Sequence, residues 1–172
     1  MNTLQSVIAR HTRGLSVIEI DYSEELPNPD VIAKELGAEG VALVFEEVAN
    51  ISAERERLDR EGEVNCDTLD DYWRAATRMA SVIPYQARTF PESVLHGLAS
   101  ESRAVRFYCA YSISKVPFRG ALLDLKAALA RETDQLNIQV IGDAVKACSS
   151  FTKCMKEKIA KLKGSRVVWC DA

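Results

Sequence analysis

The chain has 172 residues, and its 22 basic and 25 acidic side chains give a formal net charge of −3. This length fits one domain of ordinary size, and an apolar fraction of 47% excludes a disordered chain. Eight Gly and five Pro residues are too few for a collagen-like or low-complexity protein.

The charge is divided unequally along the chain. Residues 1–71 carry 6 basic and 17 acidic side chains, whereas residues 72–172 carry 16 basic and 8 acidic ones. The two parts therefore have opposite charge, and their surfaces can complement each other either within one molecule or between molecules.

Neither a membrane span nor a secretory signal is predicted. No apolar run approaches the roughly 20 residues that cross a bilayer, and the N-terminus lacks the apolar core of a signal peptide. The five cysteines are an odd number without a C-x-x-C pair, which indicates reduced thiols and a cytoplasmic location.

The pattern of residues 1–50 predicts a β–α–β unit. Residues 15–22 alternate polar and apolar side chains and are rich in β-branched ones, which is typical of a strand. Residues 41–45 form a continuous apolar run, typical of a buried strand. Between the two strands, Pro29 suits the first position of a short helix over 29–36.

Residues 51–66 are predicted to form a charged helix or linker. The stretch 52–63 is almost wholly charged, with Leu58 as the apolar residue of its interior, and Gly62 is expected to end it. Asp67 is the predicted cap of the helix that follows.

Residues 67–172 are predicted to form a helical bundle with a short terminal strand. The predicted elements are helices over 68–84, 92–100, 119–132 and 135–163 and a strand over 166–170. The stretch 102–116 fits a strand or a helix, and its helical neighbours favour a helix.

The predicted fold class is therefore α+β, with the small β–α–β unit packed on the helical bundle in one compact domain. The stripe of the helix over 68–84, which includes Trp73 and Met79, is expected to face the core.

The long last helix carries a heptad pattern of apolar positions. The two rows, each with a spacing of seven, are Ile138, Val145, Thr152 and Ile159, and Ile141, Cys148, Met155 and Leu162. Two interpretations are open: a coiled coil between copies of the chain, or packing against the helices over 68–84 and 119–132.

Basic residues beside this apolar seam are candidate anion ligands. Four lysines share one side of the predicted helix: Lys146, Lys153, Lys156 and Lys163. They could bind phosphate groups, acidic lipids or an acidic protein surface, or they could form an ordinary solvated face. Arg74 and Arg78, four residues apart, could clamp an anion or lie on the outer face of their helix.

Catalytic candidates are few. Asp21 and Glu46 lie near the carboxyl ends of the two predicted strands, where α/β proteins bind ligands. His96 and Cys109 could form a nucleophilic pair, although Cys109 also suits an apolar core. No phosphate-binding loop, metalloprotease or calcium-binding motif is present in the sequence. We therefore expect no cofactor and no metal site.

The sequence favours a non-catalytic interaction domain with complementary acidic and basic surfaces. Such surfaces can join copies of the chain head to tail, which builds rings or filaments, or they can bind another protein. The alternatives are binding of an anion or nucleic acid by the lysines of the last helix, and a small-molecule enzyme that uses one of the catalytic candidates.

Overall fold

A computed structural model of the chain describes residues 3–15, 17–18, 25–62 and 64–164, whose regular elements are all helices. In chain order they are α1 (Thr3–His11), α2 (Pro29–Leu36), α3 (Gly40–Glu61), α4 (Cys66–Ala80), α5 (Ile83–Thr89), α6 (Pro91–His96), a 3-10 turn (Gly97–Ala99), α7 (Arg103–Lys115), α8 (Ala121–Arg131) and α9 (Gln135–Gly164). Within these residues no helix is both long and apolar enough to cross a membrane.

The predicted α+β fold class and its N-terminal β–α–β unit are wrong. Residues 41–45, the predicted buried strand, form the first turns of α3. Val41, Val44, Val48 and Ile51 are buried along one face of this helix, at spacings of three and four residues. The β-branched side chains do not prevent helix formation here, because the helical spacing buries all four of them together.

The other two predicted strands lie largely outside the described residues. Of the strand over 15–22, the structure describes Leu15, Val17 and Ile18, which lie in a turn and its flank rather than in a strand. The predicted strand over 166–170 lies wholly outside. No residue in the described part of the chain belongs to a strand.

Several predicted helix boundaries are confirmed and one cap is corrected. The charged stretch 52–63 lies mostly in the second half of α3, which ends at Gly62 in the left-handed conformation, with φ of 65°. The next helix is capped by Asn65 and not by Asp67. The side chain of Asn65 accepts a hydrogen bond of 2.9 Å from the Thr68 amide, which places Asp67 inside the first turn of α4.

The stretch 102–116 is helical, and its helix, α7, is the centre of the bundle. It packs against α3, α5, α9 and the 3-10 turn. At Gly97 the turn approaches α7 so closely that an added Cβ would overlap the Cys109 sulfur and lie 2.8 Å from the Phe45 ring of α3. A side chain at this position would therefore separate three elements that now touch.

Helix α9 runs parallel to α7 and packs on it with its first half. At one end the Asn137 side chain donates a hydrogen bond of 3.2 Å to the Arg103 carbonyl, and at the other the Cys148 thiol hydrogen-bonds the Phe118 backbone. Ile141 and Cys148 of the heptad pattern are buried. The main contacts of α9 are with α7 and α8. The contact of α9 with α8 agrees with the predicted packing against the helix over 119–132. In place of the predicted contact with the helix over 68–84, α9 packs on α7.

A buried ion pair joins α7 to the loop before α9. The Arg106 Nε donates to one Glu132 carboxylate oxygen at 2.7 Å and a terminal nitrogen donates to the other at 3.1 Å. The Glu132 side chain is only 2% exposed. The backbone amides of Thr133 and Asp134 and the side chain of Asn137 also donate to this carboxylate. The arginine bonds hold the pKa of Glu132 at about 2, well below its ordinary value of 4.5.

We expect Glu132→Gln to lower the free energy of unfolding by about 3 kcal/mol at pH 7, because it leaves the Arg106 guanidinium without its anion. Since the folded-state pKa is lowered, this stabilisation is complete above pH 4.5 and is lost as the pH falls through about 2. Urea unfolding measures the free energy of unfolding of the variant and of the wild type, and the difference between the two values should decrease as the pH is lowered. Glu101→Gln, at an exposed neighbouring position, is the control and should change little.

We expect Gly97→Ala to destabilise the fold by about 2 kcal/mol or more, because its Cβ overlaps the Cys109 sulfur and crowds Phe45. Gly142→Ala is the matched control: it lies within α9 with nothing within 4 Å of the added Cβ, and it should stabilise by about 1 kcal/mol. Thermal unfolding measures both. Adding Cys109→Ala to Gly97→Ala should restore part of the lost stability. If the double variant is as unstable as Gly97→Ala alone, the proposed overlap with the Cys109 sulfur is contradicted.

Candidate functional site

An open groove lined by aromatic side chains lies between α4 and α7. Its volume is about 400 Å³. Five of the chain's twelve aromatic residues line it, together with Leu136 of α9: Tyr72, Trp73, Phe107, Tyr108 and Tyr111. Three of the lining side chains are unusually exposed for their type, namely Trp73 at 49%, Tyr111 at 42% and Leu136 at 50%. We call this feature the aromatic groove.

One wall of the aromatic groove is a row of three side chains on α7, namely Arg103, Phe107 and Tyr111. They follow one another at intervals of four residues, which places them on one helix face, and Lys115 continues the row beyond the groove. The Phe107 and Tyr111 rings are nearly parallel, with 6.3 Å between their centroids. The Lys115 ammonium lies 5.1 Å from the Tyr111 ring centroid, within range of a cation–π interaction.

The opposite wall belongs to α4, and one hydrogen bond ties it to α7. The hydroxyl groups of Thr77 and Tyr108 are 2.8 Å apart. Burial raises the pKa of the Tyr108 phenol above its ordinary value. Beyond these two residues the groove continues into a second depression of about 300 Å³ that Tyr85, Arg88 and Lys115 help to line.

The first turn of α9 closes one end of the aromatic groove. Asn137 lines it and is fully buried, yet its Oδ1 atom has no hydrogen-bond partner among the described residues. The nearby Arg103 guanidinium is held by Asp134, with 3.0 Å between Nε and a carboxylate oxygen. Arg55, a further basic lining residue, donates from Nε to the Leu69 carbonyl at 3.2 Å. The chain thus already engages the two guanidinium groups that line the groove.

Acidic side chains extend from the aromatic groove along the α3–α4 hairpin. Glu56 lines the groove, and Asp59 lies three residues further along α3. On α4, Asp67 and Asp70 precede Trp73 at intervals of three, on the same side of the helix. All four carboxylates are exposed, and no ion pair to them occurs within the described part of the chain. The groove therefore has a negatively charged surround on this side.

Residues 153–158 of α9 do not pack on the part of the bundle that the structure describes. A packed helix buries a side chain every three or four residues, but the six consecutive residues 153–158 are all exposed. Met155, a position of the heptad pattern, is 41% exposed, and Phe151 is only partly buried. We call residues 149–164 the projecting end of α9. It extends about 24 Å beyond Cys148 at 1.5 Å per residue.

The predicted lysines lie on α9, three of them on its projecting end. Lys153 and Lys156 are exposed there, whereas Lys146 lies nearer the bundle, 80% exposed and 2.9 Å from an Asp143 oxygen. Lys163 belongs to the same helix.

The two predicted arginines do not share an exposed face. Arg74 is exposed and lies 3.7 Å from an Asp71 oxygen. Arg78 is only 4% exposed and is packed in the core side of α4. A clamp made by both guanidinium groups on the protein surface is therefore not formed.

The structure describes three of the four predicted catalytic residues. Glu46 is exposed on α3, where the predicted strand end does not exist, and Asp21 lies outside the described residues. His96 is exposed, whereas Cys109 is fully buried in the core. Burial raises the pKa of the Cys109 thiol far above its ordinary range, so the nucleophilic thiolate is suppressed. Within the described part of the chain, no hydrogen bond joins His96 to Cys109.

Among the described residues no cluster of three or more His, Cys, Asp or Glu side chains is arranged to hold a metal ion. Four cysteines there are free thiols: Cys66, Cys109, Cys148 and Cys154. No known protein family, curated protein or solved structure matches the chain.

Sequence reasoning missed the aromatic groove, although a signal for it was present. In a helix over 102–116, Val105, Tyr108 and Cys109 share one face, and this leaves Phe107 and Tyr111 outside it. Two aromatic side chains on the outer face of a helix, four residues apart, indicate a surface site. Trp73 was assigned to the core, and its exposure corrects that expectation.

We expect Trp73→Ala to change the free energy of unfolding by less than about 1 kcal/mol, because half of the side chain already faces solvent. Met79→Ala on the same helix should cost about 3 kcal/mol, since Met79 is fully buried. Urea unfolding of the two variants makes the comparison. A loss for Trp73→Ala as large as that for Met79→Ala would mean that Trp73 is a core residue.

Proposed function

We propose that this chain is a non-catalytic protein-interaction domain whose docking site is the aromatic groove. The observation that carries the proposal is the exposure of Trp73, Tyr111 and Leu136 along one groove. Tryptophan and tyrosine are enriched among the residues that contribute most binding energy at protein interfaces. Large apolar side chains that stay exposed together are costly in water, and covering them is favourable.

The charged side chains around the aromatic groove indicate which kind of partner it binds. Glu56, Asp59 and Asp70 form no ion pair among the described residues, and their carboxylates favour a basic partner. The guanidinium groups of Arg55 and Arg103 are already engaged within the chain. An open groove between two helices suits an amphipathic helix that places its apolar face inside. The proposed ligand is thus an amphipathic helix with lysines beside its apolar face.

The cysteines bear on the cellular location of the protein. We infer a reducing compartment such as the cytoplasm, because the exposed Cys66 and Cys154 form no disulfide within the described part of the chain. Binding of an anionic surface by the projecting end of α9 is a second candidate function, supported by the exposure of Lys153 and Lys156.

Binding of a synthetic helix-forming peptide, with Lys on one face and Leu and Phe on the other, tests the proposal. Fluorescence anisotropy of the labelled peptide should show saturable binding that weakens about tenfold or more in Trp73→Ala and in Tyr111→Ala, because each removes an exposed anchor. Binding should also weaken with added salt, because charge attraction contributes to it.

Two controls make this result specific. Leu123→Ala removes an apolar side chain that is 79% exposed on α8, away from the groove, and should leave binding unchanged. A peptide of the same composition with a scrambled order has no apolar face and should bind weakly. Equal binding of the ordered and scrambled peptides, or no effect of Trp73→Ala, would refute the groove as the docking site.

A further inference from the structure

We infer that the occupant of the aromatic groove is the projecting end of α9 from a second copy of this chain. The inference rests on the proposed function and names its partner. Three observations lead to it: the composition of the projecting end, its charge relative to the surround of the groove, and the distance between the two surfaces along α9.

The projecting end has the composition that the groove requires. Phe151 and Met155 are four residues apart, on one face of α9, and the described bundle does not bury them. Methionine makes favourable contacts with aromatic rings, and the groove offers five such rings. The heptad pattern thus changes its role along α9: Ile141 and Cys148 pack within the chain, whereas Met155 is left for another molecule.

The charges of the two surfaces are opposite. Residues 149–164 carry five Lys and one Glu, whereas residues 54–71 of the α3–α4 hairpin carry eight acidic and three basic side chains. Lys156 is adjacent to Met155, so a helix that inserts Met155 into the groove brings lysines to its rim. There Glu56 and Asp70 are exposed. This arrangement gives the asymmetric charge of the sequence a direct role in association.

The geometry of α9 requires that the contact be made between molecules. Leu136 lines the groove at the start of α9, and Met155 lies 19 residues further along the same helix. At 1.5 Å per residue, these positions are about 28 Å apart. An unbroken helix cannot fold back over that distance, so the projecting end cannot reach the groove of its own chain. The contact therefore joins two different surfaces on two copies, and repetition gives a ring or an open chain of molecules.

Complementation between two variants of the full chain tests this inference. The groove variant is Trp73→Ala with Tyr111→Ala, and the helix variant is Lys153→Glu, Met155→Glu and Lys156→Glu. All five side chains are exposed, so both variants should keep the wild-type circular dichroism. Each variant alone lacks one half of the contact and should be monomeric. Their equimolar mixture retains one intact groove and one intact helix, and it should form a heterodimer that does not grow further.

Sedimentation velocity at low salt is the measurement. The wild type should form species larger than a dimer, or closed rings, that dissociate as salt is added. The dissociation constant of the mixed heterodimer should be within about threefold of the wild-type contact, because the intact halves are unchanged. Leu123→Ala should assemble as the wild type does.

Other outcomes overturn the inference in distinguishable ways. Self-association of the groove variant alone would show that α9 pairs with α9 in a coiled coil. A wild type that remains monomeric at low salt, while the amphipathic peptide still binds the groove, would remove the second copy as partner and leave the proposed function intact. Failure of both assays would remove both proposals. Retention on heparin that the helix variant abolishes, without self-association of the wild type, would assign the lysines to an anionic partner.

Discussion

The buried pair of Arg106 and Glu132 is the interaction on which the arrangement of the last three helices depends. A carboxylate that is 2% exposed is costly unless its oxygens are saturated with donors. Here one guanidinium, two backbone amides and the Asn137 side chain supply them. The same Asn137 also bonds α7, so the start of α9 is held beside the start of α7. This places Leu136 at the end of the aromatic groove.

The direction of α9 then follows from its start. Because α9 is parallel to α7 and more than twice as long, the described bundle covers its first half and leaves residues 153–158 exposed. The second half carries the lysines and the last heptad positions away from the groove. Two surfaces of opposite chemistry consequently lie at opposite ends of one rigid element. The unequal charge of the sequence becomes a separation in space, which is the property that our proposal of head-to-tail association uses.

Local signals were enough to predict most helices but not the fold class. Gly62 ends α3, α2 has its predicted bounds, and the long last helix was recognised from a spacing of seven. The error at residues 41–45 has a physical cause. A short run of apolar, β-branched residues suits a buried strand and a buried helix equally, and only the neighbouring elements decide which backbone buries it. Residues 41–45 are helical here because α3 packs against other helices.

The sequence by itself determined the helix periodicity, several helix ends, the polarity of charge and the seam of α9, because these depend on residues close together in the chain. The tertiary structure alone decided which apolar residues are core and which are surface. Trp73 and Met79 lie on the same helix, yet one is half exposed and the other fully buried. That difference comes from how α4 packs on its neighbours, chiefly α3, which the pattern of α4 itself does not specify. The position of α9 beside α7 likewise depends on an ion pair between residues 26 apart in sequence. The aromatic groove exists only as a result of that packing.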